Sequence, residues 1–441
     1  MKDAKRRFEW FSFYDHTGIE RHLEEMAAQG WLLEKIGSFT WHYRRTEPKK
    51  LTFSVSYFPG ASQFDPGPGP EQEAFYDLCA HAGWTLAAAS AQMQVFYNER
   101  ENPVPIDTDP ELEVEAIHKA AKRSFLPSQI ILLAVAVFNG LMNLFRVFDD
   151  PIVTLSSSLV LFSCLCWPLV ILLTGADLAT YFLWRRRALK AADQGEFLAT
   201  RSHPVLQKLA LAVVLAGLAW CMAYLRDSML TVMVTMLVCV FGLVFVVTQL
   251  RELLKRKRVS AGANLAVTIG ACVALPLLTV TLVTALMLTA GGGWSDSGEL
   301  PLTLPELLEQ PDGGDYVRYR NFSQSPLLTL LSSNQQADGR GINYGVTVVK
   351  LPALYDLCRD ELLHEEDDRG DSRIPEGWKQ YYGPIDPTSW GAEEAYQEYR
   401  EDMGLRDSYL LCYPDRIVSI GFDWTPTQKQ MDMVAEKLGG K

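Results

Sequence analysis

The stretch SLVLFSCLCWPLVILLTGADLATYFLWRRR, residues 158–187, decides the class of this protein. It is apolar and uncharged up to Asp177, and three arginines close it. The hydrocarbon core of a bilayer is crossed by about 20 apolar residues in a helix. Clustered Lys and Arg mark the cytoplasmic end of such a helix. The stretch therefore predicts a membrane-spanning helix and not a helix of a soluble core.

Similar charge-free windows lie on both sides of this stretch, and together they predict a transmembrane region over residues 126–290. We expect five helices, at about 126–146, 153–176, 208–226, 229–250 and 264–288. Five such windows so close together disfavour the alternative, buried helices of a large soluble core. The last window is long enough to hold two short spans, but we favour one, kinked at Pro276.

Net charge divides the chain into the same three parts. Residues 1–125 carry −5, residues 126–290 carry +6 and residues 291–441 carry −13, within a total of −12. An acidic chain of this kind is unsuited to general nucleic-acid binding, which needs a basic face for phosphates. We therefore expect membrane lipids and proteins as partners, and no direct contact with nucleic acid.

Basic residues in the loops predict the orientation in the membrane. The loops after the second and fourth spans contain Arg185, Arg186, Arg187, Lys190, Arg201, Lys208, Arg251, Lys255, Arg256, Lys257 and Arg258. The alternate loops contain only Arg146 and Arg226. Because basic loops stay in the cytoplasm, we predict a multi-pass protein of the cell membrane. Its residues 1–125 are then cytoplasmic, and residues 291–441 form an extracytoplasmic domain.

The first 125 residues contain an internal repeat. IERHLEEMAAQGWLL (19–33) and QEAFYDLCAHAGWTL (72–86) align Gly30-Trp31 with Gly83-Trp84. Apolar residues recur at helical spacing before each pair, and each glycine stands where a helix C-cap favours positive φ. We expect the Trp that follows each glycine to begin a strand. The paired Gly-Trp elements are therefore a structural signature of two similar halves.

Strand patterns flank both predicted helices. Aromatic or alternating residues occur at 8–13, 39–44, 51–57 and 93–97, and period-2 alternation is typical of sheets with one buried face. The order βαββαβ predicts a ferredoxin-like fold. The fold class is therefore α+β for the cytoplasmic domain, joined to a membrane α-helical region.

These residues also resemble a known family. The pattern FSFYDHTGIERHLEEMAAQGW (11–31), the strand ending SVSYFP (54–59) and the second Gly-Trp are similar to bacterial proteins with the domain of unknown function 2812. The resemblance covers about residues 8–98. It implies a membrane protein with this domain on the cytoplasmic side, often encoded beside PadR-type transcriptional regulators. It implies no enzymatic activity.

The last part of the chain reads as a small α+β domain. INYGVTVVKL (342–351) predicts a strand, Pro352 opens a helix, and SYLLCYPDRIVSIGFDW (408–424) predicts a hairpin that turns at Pro414. Thr425-Pro426-Thr427-Gln428 predicts the start of a final helix, with Thr425 as N-cap. Cys358 and Cys412 are the cysteines of this domain; we favour free buried thiols over a disulfide.

Polar residues within the spans are the candidate functional groups. Asp177 is an intramembrane carboxylate, or a headgroup-level partner of Arg185–Arg187. Asn139 and Asn143, one turn apart, are expected to hydrogen-bond to another helix. Neither the cysteines nor the histidines have the spacing of a metal site, and no nucleotide or catalytic motif is present. We therefore expect no cofactor, no metal and no enzymatic activity.

This layout favours a membrane signalling or regulatory protein, in which the extracytoplasmic domain is coupled to a cytoplasmic protein-interaction domain. The expected partner is a cytoplasmic regulator or another membrane protein, and an oligomer is compatible with the layout. The alternative is a transporter or permease accessory subunit, suggested by Asp177, the two asparagines, Pro168 and Pro276. An integral-membrane enzyme is a third class, without a motif to support it.

Overall fold

The structure is a computed structural model in which the chain forms two compact units. It describes residues 4–9, 11–37, 40–200, 204–224, 227–289, 298–309, 317–337, 339–364, 380–400 and 403–440. Trp10, Phe39, Arg201 and Arg226, which entered the predictions above, lie outside these ranges. The N-terminal unit comprises Met1–Asn139, Trp167–Leu215 and Thr235–Leu282. The C-terminal unit comprises Gly140–Cys166, Ala216–Val234 and Val283–Lys441.

The N-terminal unit begins with two successive βαββ segments, which match the two halves of the sequence repeat. The first contains β1 (Ala4–Arg7), α1 (His16–Ala28), β2 (Trp31–Ile36) and β3 (Trp41–Arg45). The second contains β4 (Thr52–Tyr57), α2 (Pro70–His81), β5 (Thr85–Ser90) and β6 (Met93–Asn98). Each half forms an antiparallel three-stranded sheet, in the orders β1-β3-β2 and β4-β6-β5.

The ferredoxin-like βαββαβ arrangement is not confirmed, because the described strands form two sheets of three instead of one sheet of four. The strand expected to begin at the Trp after each glycine is present, as WLLEKI from Trp31 and as TLAAAS directly after Trp84. The order βαββαβ did not include these two strands. The first strand also lies earlier than predicted, at Ala4–Arg7. Phe11 and Phe13 follow it in a non-strand segment and pack against the core instead.

Both signature glycines have the predicted backbone conformation. Gly30 and Gly83 follow the ends of α1 and α2 with φ of +80° and +90°, a region that a side chain disfavours. A Cβ on Gly30 would lie 2.8 Å from the carbonyl oxygen of Thr46. The glycine therefore lets the chain turn sharply from the helix into the following strand in each half.

Seven helices follow the two sheets in the described part of the chain. They are α3 (Pro110–Arg123), α4 (Phe125–Asp149), α5 (Pro151–Ser156), α6 (Ser158–Ala192), α7 (Pro204–Tyr224), α8 (Asp227–Arg256) and α9 (Ala261–Thr289). In the described part of the chain, three helical segments are long and apolar enough to cross a membrane: α4, α6 and Ala261–Thr281 of α9. Within α7, Leu211–Trp220 is a shorter apolar stretch. Five spans therefore remain a prediction, although helices occupy all five predicted windows.

The second predicted span began too early. Asp150 accepts a hydrogen bond from Val153 N and caps the separate short helix α5, and the extended backbone of Ser157 then interrupts the helix. Helix α6 begins only at Ser158 and continues for 35 residues. At 1.5 Å per residue it is about 52 Å long, which exceeds the roughly 30 Å hydrocarbon core. Part of α6 must therefore extend beyond a bilayer.

The C-terminal unit contains one seven-stranded antiparallel sheet in the order β10-β11-β12-β13-β9-β8-β7. Its elements are α10 (Leu304–Leu307), β7 (Val317–Gln324), β8 (Leu328–Ala337), β9 (Arg340–Val349), α11 (Tyr355–His364), β10 (Gln380–Ile385), β11 (Glu394–Arg400), β12 (Gly404–Tyr413), β13 (Arg416–Phe422) and α12 (Gln428–Leu438). The predicted strand at 342–351 is confirmed as β9, and the predicted hairpin as β12–β13. The sheet therefore holds most of this predicted α+β domain together.

Both faces of this sheet are buried. Along β12, Tyr409 and Leu411 belong to one apolar cluster, which also contains residues of α10 and α12. Leu410 and Cys412 belong to the opposite cluster, with Cys358 from α11. Cys358 and Cys412 are free thiols in that cluster, and burial raises the pKa of each to about 11. The final helix starts two residues later than predicted, because Thr427 and Gln430, not Thr425 and Gln428, form its capping box.

The short helix α5 packs on this sheet. Ile152 is buried in the cluster of Cys358 and Cys412. Ser156 Oγ lies 2.6 Å from Ser323 Oγ, Ser325 Oγ donates to Leu155 O at 2.6 Å, and Ser158 Oγ donates to Gln324 O at 2.9 Å. The connection between α4 and α6 is therefore part of the folded C-terminal unit.

Candidate functional site

An acidic cavity lies in the N-terminal unit. Its volume is about 540 Å³. The walls come from α1, β4, the segment that precedes α3, α3 itself and the residues that follow α6; among the lining residues are His16, Glu20, Val55, Trp84, Asp107, Glu113 and Leu198. The cavity thus collects ionisable side chains from several separate parts of the chain.

Helix α1 presents two of these side chains. Asp15 caps the helix by accepting a hydrogen bond from Gly18 N at 3.3 Å. This start places His16 and Glu20 one turn apart on the face toward the cavity. Glu20 Oε1 accepts a hydrogen bond from Val55 N at 2.8 Å. The carboxyl is thereby fixed against the backbone of β4.

Two more carboxyls complete the acidic group. Asp107 precedes α3, and Glu113 lies in its first turn. His16 Nε2 is 3.3 Å from Glu113 Oε1, and His16 Nδ1 is 3.2 Å from Tyr14 O. The cavity lining therefore contains three carboxyl groups and one imidazole, of which His16 and Glu113 are in direct contact.

Burial controls the protonation of this group. Burial raises the pKa of Glu20 to about 8, with nearby carboxylates adding to the effect. Burial and the charge of Asp107 raise the pKa of Glu113 to about 7. Burial raises the pKa of Asp107 and lowers that of His16. The cavity can therefore take up or release protons near neutral pH.

The residues that follow α6 close one side of this cavity. Phe197, Leu198 and Ala199 belong to its wall. The next residue, Thr200, is hydrogen-bonded to the start of α1: its Oγ1 donates to Asp15 Oδ1 at 2.8 Å, and its N donates to Thr17 Oγ1 at 2.8 Å. The segment that continues from α6 is therefore attached to the start of α1, next to the cavity.

An aromatic cluster joins α6 to the two-sheet region. Tyr181 is fully buried and contacts the rings of Tyr14, Phe125 and Trp184 at centroid distances of 5.3, 5.5 and 6.3 Å. Its hydroxyl lies 2.7 Å from His118 Nδ1 on α3. Offset and edge-to-face contacts of this kind add to the energy of burial. This part of α6 thus belongs to the core of the N-terminal unit.

The two predicted signature tryptophans differ in their surroundings. Trp84 is buried, lines the acidic cavity, and donates from Nε1 to Val104 O at 2.8 Å. Trp31 is partly exposed, and Lys5 and Arg45 lie over its ring at 5.1 and 4.9 Å. The repeat therefore conserves backbone geometry between its halves, but only the second half contributes its tryptophan to the cavity.

Asp177 contacts the cytoplasmic domain predicted from the sequence. Its Oδ1 accepts a hydrogen bond from Ser12 Oγ at 2.7 Å. The sequence suggested Arg185–Arg187 as partners. Arg185 Nε is buried and has no hydrogen bond to any residue that the structure describes, and Arg186 and Arg187 are exposed. In the second basic cluster, Arg256, Lys257 and Arg258 are exposed, and Lys255 lies 3.8 Å from Glu252.

The two asparagines of α4 make different contacts. Asn143 Nδ2 donates to Ser163 Oγ at 3.0 Å, which joins α4 to α6 within the C-terminal unit. Asn139 Nδ2 donates to Val135 O of its own helix at 2.8 Å. The inter-helical bond expected for this pair is therefore present at Asn143.

Sequence reasoning missed the acidic cavity. The spacing of His16 and the other histidines is not that of a metal site, and no sequence motif marks Glu20, Asp107 or Glu113. No group of three potential metal ligands occurs among the described residues. The available signal was weak: His16 and Glu20 share a helix face with buried Ile19 and Leu23, which is unusual for charged side chains.

Comparison with known proteins identifies the N-terminal segment alone. The chain has no significant match among curated proteins or among solved structures. A family model does match the chain. The matched residues extend past residue 98, the predicted limit of the resemblance, and include Asp107 and Glu113 of the cavity. Residues 15–128 match the family model described as "Protein of unknown function (DUF2812)", which confirms the predicted resemblance for this N-terminal segment of the chain.

Proposed function

We propose that this chain is an integral membrane signalling or regulatory protein, which couples an extracytoplasmic domain to a cytoplasmic protein-interaction domain through helix α6. The observation that carries the proposal is the pair of contacts made by this helix. Ser158, its first residue, bonds to Gln324 of the large sheet. Asp177, further along the same helix, bonds to Ser12 of the two-sheet region.

Contacts within the N-terminal unit support a cytoplasmic position for the two-sheet region. Thr17 is bonded to Thr200, in the loop after α6. Gln63 Oε1 accepts from Arg251 at 2.9 Å, and Phe64 O accepts from Asn264 at 3.1 Å, on either side of the loop between α8 and α9. These are the two basic loops, which the positive-inside rule assigns to the cytoplasm.

Contacts within the C-terminal unit support the opposite side for the large sheet. Helix α5 packs on that sheet through Ile152 and the serine hydrogen bonds. It lies in the loop between α4 and α6, which carries few basic residues. A loop of this kind is assigned to the outer side, so the sheet packed against it is assigned there too.

Labelling of single cysteines tests this orientation. We expect Gln29→Cys, at the exposed end of α1, to react with a membrane-impermeant maleimide only after the cell membrane is permeabilised. Glu436→Cys, on the exposed face of α12, should react in intact cells. The native cysteines of both domains are buried, and the unmodified chain is the control for their background. Equal labelling of both variants in intact cells would contradict the proposed topology.

The coupling itself predicts an effect of the α5 contact on the cytoplasmic domain. Ile152→Ala removes a buried side chain beneath the large sheet and should weaken the docking of α5. If α6 transmits the change, amide hydrogen exchange of the full chain in nanodiscs should become faster at residues 16–28 as well as at 328–331. A change of roughly fivefold at 16–28 is expected for an uncoupling near 1 kcal/mol.

The neighbouring side chain provides the matched control. Val153 is exposed, so Val153→Ala should leave exchange at both sites unchanged. Faster exchange at 328–331 with no change at 16–28 would refute coupling through α6. A transporter, the alternative function, would instead be indicated if Asp177→Asn abolished solute movement in liposomes while exchange at 16–28 stayed the same.

A further inference from the structure

A second cavity in the N-terminal unit lies beside the first turns of two membrane-spanning helices. Its volume is about 910 Å³. The lining is largely aromatic and apolar, and includes Phe11, Phe13, Phe64, Phe125 and Leu265. Phe125 is the first residue of α4, and Leu265 lies in the second turn of α9. The cavity therefore lies where those helices would leave the hydrocarbon core, at the level of lipid headgroups.

One wall of this cavity is held by the membrane helices themselves. The segment Ser62–Phe64 lines it. Arg251 of α8 donates to Gln63 Oε1, and Asn264 of α9 donates to Phe64 O. The wall is thus fixed to the ends of two helices, α8 and α9, by specific hydrogen bonds.

The cavity contains an unsatisfied hydrogen-bond acceptor. Gln92 is 4% exposed and belongs to the lining. Its Oε1 has no hydrogen-bond partner among the described residues. A buried acceptor without a donor is costly and rare in folded proteins. A ligand that brings an N–H group into the cavity would remove this cost.

Charged groups at the cavity suggest which ligand fits. Glu9 also lines it, and its carboxylate, whose Oε1 lies 3.3 Å from Arg7 Nε and 3.0 Å from His22 Nε2, adds an acidic group to the lining. Arg123 lies at the margin, where Nη1 donates to Pro59 O at 2.7 Å. A guanidinium has further donors that suit a phosphate. The acceptor and the carboxylate in the lining suit an ammonium group, and the guanidinium of Arg123 suits a phosphate joined to it.

We propose that this cavity binds one phospholipid with a primary ammonium headgroup. The ammonium donates to Gln92 Oε1, the phosphate lies near Arg123, and the start of an acyl chain packs against the phenylalanines. The cavity volume is within the range of about 300–1,000 Å³ that is usual for small-molecule sites. A membrane lipid is favoured over a soluble ligand because α4 and α9 contribute to the walls.

Native mass spectrometry of the full chain, purified in detergent and stripped of lipid, tests this site. Phosphatidylethanolamine and phosphatidylcholine differ only in the methyl groups that remove the N–H donors. We expect the wild type to retain the ethanolamine lipid about fivefold more strongly, the effect of one or two hydrogen bonds. Gln92→Leu keeps a side chain of similar size and should reduce this preference to within about twofold.

Gln29→Leu, an exposed glutamine at the end of α1, is the control and should retain the full preference. Equal binding of the two lipids by the wild type would overturn the proposal, as would stronger binding of phosphatidylglycerol than of phosphatidylethanolamine. An undiminished preference in Gln92→Leu would do the same, because the acceptor would then have no part in recognition.

Discussion

Replacing Tyr181 by alanine is expected to destabilise the N-terminal unit by about 3–4 kcal/mol, the usual cost of deleting a buried aromatic side chain. Tyr181 is fully buried between Tyr14, Phe125 and Trp184. Its loss also leaves His118 Nδ1 without the hydroxyl now 2.7 Å away. The variant should therefore lose both apolar packing and a polar contact between α6 and α3.

Thermal unfolding of the full chain in detergent measures this effect, with intrinsic tryptophan fluorescence as the signal because Trp184 contacts Tyr181. Phe182→Ala is the matched control: the side chain follows Tyr181 on the same helix but is 44% exposed. It should change the unfolding free energy by less than about 1 kcal/mol. Equal losses in the two variants would mean that the aromatic cluster does not anchor α6.

The stability of the N-terminal unit should fall as pH rises from about 6.5 to 8. The folded protein holds the proton of Glu20 up to a pKa of about 8, whereas the unfolded chain releases it near 4.5. The stabilisation that comes from this bound proton is thus complete below pH 4.5 and is lost as the pH rises through 8. The free energy of unfolding should fall by about 1.4 kcal/mol per pH unit, or about 2 kcal/mol over this interval.

The pKa shifts of Glu113 and His16 give the direction in which each of them changes the free energy of unfolding with pH. Glu113, with a pKa raised to about 7, adds to the loss as pH rises. His16 has its pKa lowered from 6.5 by burial, so it opposes folding only when pH falls below that value. Denaturant unfolding above about pH 6.5 therefore isolates the carboxyls.

Glu20→Gln keeps an oxygen for the Val55 N–H group but cannot ionise, so its unfolding free energy should vary less with pH. Glu25→Gln is the control, an exposed carboxyl on the same helix. It should retain the pH dependence of the wild type. If Glu20→Gln kept the full pH dependence, Glu20 would not be the group that titrates.

Local patterns predicted several elements correctly. The Gly-Trp pairs predicted the two helix ends, since a residue at positive φ must follow there. Alternation in YLLCY and RIVSIGF predicted a hairpin, because every second side chain faces the same side of a sheet. Strand pairing was less predictable: WLLEKI and TLAAAS lack clean alternation, and the order βαββαβ left them out, although a strand was expected after each Gly-Trp pair.

By itself, the sequence determined apolar segments of membrane-spanning length, the two related N-terminal halves and the charge of the loops, because each depends only on composition or short-range periodicity. The tertiary structure decided which separate segments meet. Asp177 bonds to Ser12 across 165 residues, and Glu20 and Glu113 share a cavity although they lie on different helices. Such contacts follow from how whole elements pack, and packing also sets the burial that shifts the pKa values of Glu20 and Glu113.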